Sequence, residues 1–223
     1  MKTKYIITLF FVLCFCLCAK AQNAYRDSLR IAMEALAYHP DSITLRLNKA
    51  KWNMLLEEWG RAKNEYDYVL DRNKNNLTAL FYRAYANERL NRYGFARLDY
   101  QTLLTVAPGN FEGLLGLALL NFKDMKYSDA FDQINQLVAL HPDSAIAYAA
   151  RGGMEKEKGM MELAEYDYAK ACQLAPKHED YLLNLVDIRL TLSHFVEARE
   201  ELKMLERLGY SKNMLKDFYK RLK

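Results

Sequence analysis

Cysteine is scarce in this chain. Of four in 223 residues, Cys14, Cys16 and Cys18 crowd the first eighteen positions and only Cys172 lies beyond them. Once that opening segment is removed no intramolecular disulfide can form, even in an oxidising compartment. Histidine is also limited to four, at 39, 141, 178 and 194, with no metal-ligand spacing among them. There is no His-Glu-x-x-His, no Gly-x-Ser-x-Gly and no glycine-rich phosphate loop, and no Cys-x-x-Cys beyond residue 21. No catalytic, cofactor-binding or metal residue is therefore expected, and the chain does not read as an enzyme. A dominant charge is missing too. The first 21 residues hold three of the 32 basic side chains and none of the 28 acidic ones, so their removal leaves 29 against 28, a net charge of +1. Overall charge gives no support to a nucleic-acid partner.

The opening segment has the layout of an export signal. Lys2 and Lys4 precede an apolar stretch from Tyr5 to Cys18, and Ala19-Lys20-Ala21 supplies the small-x-small pattern that a signal peptidase accepts. The stretch is short of the roughly 20 apolar residues a membrane helix needs. Residues 1–21 are thus expected to be a cleaved signal peptide, cut after Ala21. That implies a periplasmic or secreted protein with no stable membrane insertion after cleavage; an uncleaved anchor is the alternative. A lipid on Cys18 is disfavoured by the bulky Leu17 before it.

A fixed period dominates the remainder. His-Pro-Asp-Ser occurs at 39–42 and again at 141–144, a separation of 102, or three times 34. The prolines at 40, 108, 142 and 176 lie on that grid, and alanines stand at 62, 96, 130, 164 and 198, each 34 apart. Three residues before these alanines come Trp59, Tyr93, Tyr127, Met161 and Phe195; four after come Tyr66, Tyr100, Ile134, Tyr168 and Leu202; twelve before come Ala50, Ala84, Ala118, Gly152 and Val186. Small residues at two matched places let two antiparallel helices approach, and the large ones fill the groove between them. Each 34-residue unit is therefore predicted to be a helical hairpin. Proline ends a second helix because it lacks an N–H and drives the preceding residue out of helical geometry. The Asp-Ser at 41–42 and 143–144 offers N-cap acceptors to the next helix.

With a small residue at position 8, an aromatic at 17, Ala at 20, an aromatic at 24 and Pro at 32, the unit resembles the tetratricopeptide repeat. The resemblance implies an all-α, right-handed α-solenoid of five units, 43–76, 77–110, 111–144, 145–178 and 179–212. An N-terminal capping helix within 22–42 and a C-terminal one over 213–223 complete it. Met214, Leu215, Phe218 and Leu222 form the apolar face of the latter. Such hairpins bury their apolar stripes only by stacking.

Charge pairs within this register. Position 7 is basic in units one, two and four (Lys49, Arg83, Arg151) where position 23 is acidic (Glu65, Asp99, Asp167). Unit three has Leu117 and Gln133, and unit five departs with Leu185 and Glu201. The three matched pairs are expected to be ion pairs joining the two helices of one hairpin. Cys172 stands where other units have Leu70, Leu104 and Val138, as a small buried hydrophobe rather than a nucleophile.

By the same resemblance, positions 2, 5, 9, 12 and 13 of the first helices line a partner groove. Carried onto this sequence, the candidate contacts are Leu47, Lys51, Phe81, Tyr85, Arg89, Leu115, Leu119, Phe122 and Lys123. A slip of one residue in register would exchange groove for core. The expected function is a non-enzymatic scaffold or adaptor of the cell envelope that holds a protein or peptide, or associates with itself. The alternatives are an accessory subunit of an envelope enzyme or transport complex and a glycan-binding module. The Lys and Asn clamp with which some family members grip a C-terminal carboxylate has no counterpart, since positions 5 and 9 are Leu47 and Lys51, then Phe81 and Tyr85.

Overall fold

A computed structural model describes residues 22–222; the expected signal peptide at 1–21 and its cleavage site lie outside the described residues. Among these residues the chain is helical throughout and has no strand. Helix α1 covers 22–38. Five hairpins follow: α2 (Ile43–Leu55) with α3 (Trp59–Arg72), α4 (Leu77–Arg89) with α5 (Tyr93–Val106), α6 (Phe111–Lys123) with α7 (Tyr127–Leu140), α8 (Ala145–Glu157) with α9 (Met161–Leu174), and α10 (Glu179–Thr191) with α11 (Phe195–Arg207). A short α12 (Lys216–Arg221) ends the chain. First helices start at 43, 77, 111, 145 and 179 and second helices at 59, 93, 127, 161 and 195, so both series advance by 34.

Local chemistry sets both ends of the first helices. At position 34, Ser42, Asn76 and Ser144 accept through their side chains from the backbone N–H three residues on, which satisfies a donor the helix leaves open. Asn110 does the same for Gly113 at 2.8 Å. At position 15 the chain turns left-handed, with φ near +58° at Glu57, Asn91 and Met125, +61° at Ser193 and +77° at Gly159. The N–H of the following residue then bonds back to the carbonyl of position 11: Glu58 to Asn53, Arg92 to Asn87, Lys126 to Asn121, Met160 to Glu155 and His194 to Arg189, at 2.8 to 2.9 Å. Five closures of this Schellman type end the first helices in the same way.

The chain forms two compact units, one ending at Gly113 and one beginning at Leu114. In the first, α4 packs against both α3 and α5, over a core of Ala50, Ala62, Tyr66, Val69, Leu70, Ala79, Leu80 and Leu103. A side-chain carbon on Gly113 would come within 2.5 Å of the Leu103 Cδ2 methyl, so a larger residue there would have to push that leucine aside. In the second, α10 packs on both α9 and α11, and Leu182, Val186, Leu190, Ala198, Leu202 and Leu205 close around Leu215. All five position-20 alanines are fully buried, as are Ala50, Ala84, Ala118 and Val186 at position 8. Every fully buried leucine in these stacks contributes about 1.5–3 kcal/mol.

The three expected ion pairs are formed. Lys49 Nζ lies 2.6 Å from Glu65 Oε1. The Arg83 guanidinium grips both oxygens of Asp99, at 2.9 and 2.5 Å, and Arg151 grips Asp167 at 2.6 and 2.8 Å. Each arginine also reaches back to the preceding second helix, Arg83 to Asp67 and Arg151 to Asn135, both at 2.9 Å. These pairs therefore link neighbouring hairpins as well as the two helices of one. The departure in hairpin five is only apparent, because Glu201 is held by Arg189, at position 11. In hairpin three Asn121, again at position 11, donates to Gln133 at 2.9 Å. The C-terminal cap is shorter than expected. Residues 211–215 turn rather than coil into a helix, leaving Met214 exposed while Leu215 is buried, and Arg221 anchors α12 to Asp187 at 2.6 Å.

Candidate partner-binding surface

The expected contact residues separate by environment. In the first unit Leu47 (α2) and Phe81 (α4) are half-buried and lean on the core, Phe81 with its ring 6.0 Å from that of Tyr100. Lys51 and Arg89 are exposed, and Tyr85 is 40% exposed. Tyr85 meets Trp59 edge-on with centroids 6.0 Å apart, and the Arg89 guanidinium stands 5.0 Å from the Trp59 ring. Positions 9 and 13 of α4 lie one turn apart, so both face the start of α3. The result is a patch with aromatic and cationic character at once. Glu88, on the same helix, accepts from the buried Tyr100 hydroxyl at 2.7 Å.

In the second unit Leu115 is half-buried, Leu119 is 44% exposed and Lys123 is exposed. Phe122 corrects the sequence reading. It is only 8% exposed and packs edge-on against Tyr127 and Phe131, at 5.3 and 6.2 Å between centroids. Phe122 therefore turns into its own hairpin, against the first two turns of α7. Trp59 was missed as a wall residue because position 17 reads as packing in every unit. The one available signal was tryptophan itself, a ring too wide for complete burial between two helices.

The one thiol among the described residues behaves as core. Cys172 is half-buried, and burial, then the Glu201 carboxylate, push it up to about 12. No group of three or more His, Cys, Asp or Glu side chains among the described residues is arranged to hold a metal, and no described helix is long and apolar enough to cross a membrane.

No protein-family model matches the chain, and no curated protein matches it in sequence. Solved structures do. A tetratricopeptide repeat protein from Parabacteroides merdae superposes with a TM-score of 0.68 at 25% identity, over 91% of this chain and 79% of its own. PilW, a widely conserved type IV pilus biogenesis factor, gives 0.74 at 18% identity over 90% and 93%. YrrB, a repeat protein with an unusual peptide-binding site, gives 0.56 at 19% identity over 77% and 89%. With helix starts spaced by 34, small residues buried at positions 8 and 20 of each hairpin, and these likenesses, the chain has the fold of a tetratricopeptide-repeat protein.

Proposed function

We propose that this protein is a non-enzymatic scaffold of the cell envelope, exported by residues 1–21 and cut after Ala21, that holds a polypeptide partner on its first-helix face. The observation that carries this reading is the Tyr85–Trp59–Arg89 patch of the first unit, where a tyrosine that is 40% exposed and an exposed guanidinium meet over a half-buried indole. A core has no use for such exposure, whereas an apolar and aromatic surface rimmed by cations suits an extended peptide or a helix carrying apolar and acidic side chains. The peptide-binding site of YrrB supports the same use of this fold. Leu47 and Phe81 form the floor, and Leu115, Leu119 and Lys123 offer a smaller surface on the second unit.

A photoreactive residue replacing Tyr85 in the native envelope is expected to give a discrete polypeptide adduct. Arg89→Glu should reduce its yield at least about tenfold if the partner is acidic, since close opposite charges contribute on this scale. An equal yield from position 64, on the outer side of α3, would overturn the reading. N-terminal sequencing of the exported protein is expected to begin at Gln22.

A further inference from the structure

The junctions between successive hairpins are filled unequally. Position 28 of one hairpin and position 4 of the next supply side chains to each junction, and three such pairs lie within a single unit: Leu70 with Leu80, Val138 with Tyr148, and Cys172 with Leu182. The last pair has the least volume of the three. There, in the second unit, a cavity of about 460 Å³ opens between α9, α10 and α11, with Cys172, Leu182 and Met204 among its walls and Pro176 at its edge. That volume falls in the range of about 300–1,000 Å³ found for small-molecule sites.

The remaining lining groups carry charge of both signs, all of it from α11. Glu201 binds Arg189 through one carboxylate oxygen, while the other, Oε2, is buried with no hydrogen-bond partner. A buried acceptor left unpaired is costly, and a donor entering the cavity would relieve it. Glu200 is exposed on the same wall, and one and two turns further on Lys203 and Arg207 stand exposed at the rim. Among the described residues none of these three charged side chains engages a partner. Positions 25 and 29 are both basic in this hairpin and in no other, the pairs elsewhere being Asp67 and Asp71, Gln101 and Thr105, Asn135 and Ala139, and Ala169 and Gln173. Carboxylates and cations are thus offset along α11 by about 3–10 Å at about 1.5 Å per residue, the separation between the two ends of one to three residues of extended chain at about 3.3 Å each.

We infer that this cavity binds a small zwitterion, an amino acid or dipeptide with an apolar side chain and both ends free. Glu201, with Glu200 beside it, takes the ammonium group; Lys203 and Arg207 take the carboxylate. Cys172, Leu182 and Met204 receive the apolar side chain. A purely apolar molecule would leave the Glu201 oxygen unpaired, and an anion without a donor would set a second negative charge against it. The interior of a protein chain has neither free end, so the occupant is a free small molecule. The site owes nothing to the Tyr85 patch, which belongs to the first unit.

Titration calorimetry of the intact protein with the dipeptide Leu-Leu is expected to give one site with a Kd of about 0.1–1 mM, the efficiency usual for a ligand of this size. N-acetyl-Leu-Leu, which lacks the ammonium, and Leu-Leu amide, which lacks the carboxylate, each bind at least about tenfold more weakly. Lys203→Ala/Arg207→Ala, two exposed positions, weakens Leu-Leu about tenfold and leaves Leu-Leu amide within about twofold, a split that a merely structural role would not produce. Cys172→Leu, which restores the leucine of hairpins one and two at position 28, fills the apolar end and abolishes binding with helical content unchanged. No binding of Leu-Leu at up to about 10 mM, blocked forms that bind as tightly as the free dipeptide, an equal response of acid and amide to the double substitution, or undiminished affinity in Cys172→Leu would overturn the inference. None of these results bears on the Tyr85 adduct.

Discussion

Hairpins two and four are built on the same arginine and the same aspartate and differ in the residue between them. In hairpin two, Arg83 grips Asp99 while Asn87 stands beside the carboxylate, its amide 3.4 Å away. The charges balance, although the buried Asn87 Oδ1 has no hydrogen-bond partner. In hairpin four, position 11 is Glu155, so Arg151 faces two buried carboxyls, Asp167 and Glu155. Burial, then the negative charge of Asp167, push Glu155 up to about 7 against the pull of Arg151. One substitution within a repeated frame thus converts a neutral buried network into one that exchanges a proton near physiological pH.

The largest effect is expected from removing the shared arginine. Arg83→Leu strands Asp99, which is almost wholly buried, and should cost about 3–5 kcal/mol in chemical denaturation; Arg83→Leu/Asp99→Leu should recover more than half. Equal losses in the single and double variants would mean that the pair is not coupled. Arg151→Leu is expected to cost as much at pH 8 but less at pH 6, where Glu155 takes up a proton.

Glu155 makes the second test. Its carboxyl titrates near 7 in the folded chain and near 4.5 when unperturbed, so the folded state binds the extra proton between those values. The resulting stability is complete below about pH 4.5 and is lost as pH rises through 7, a span of about 3 kcal/mol at about 1.36 kcal/mol per unit. Glu155→Gln should remove this slope and raise stability at pH 8 by about 1–2 kcal/mol, making hairpin four behave like hairpin two. A slope that survives the substitution would place the titrating group elsewhere.

A smaller contrast lies at position 15. Hairpin four has Gly159 in the left-handed region, where hairpin three forces Met125 into it. Gly159→Ala should cost about 1 kcal/mol and Met125→Gly should gain about 0.5–1 kcal/mol. The smallest effect belongs to position 28, where Cys172→Val is expected to change stability by less than about 1 kcal/mol. The thiol of the folded protein should react slowly with a thiol reagent at pH 8, since burial keeps it protonated.

Much of this was legible beforehand, because a repeat states each requirement five times. The alanines at position 20 and the small residues at position 8 mark where helices meet, and the pairing of positions 7 and 23 announced ion pairs between helices far apart in sequence. The other partners of that network were not legible. Glu201 seemed to lack one because its cation, Arg189, sits at position 11 and not at 7. Phe122 and Trp59 exchanged the roles assigned to them, core for wall, because volume left by neighbouring side chains decides which way a large ring turns.

What the sequence determined by itself was the period: 34 residues, two helices, a cap at position 34 and a turn at 15, since those depend on backbone geometry and on residues within one turn of each other. What only the tertiary structure decided was which side chains remain in water. Exposure of Tyr85 and Arg89, or of Phe95 and Tyr166, depends on how much surface the adjacent hairpin covers, and no local pattern encodes the reach of a neighbour.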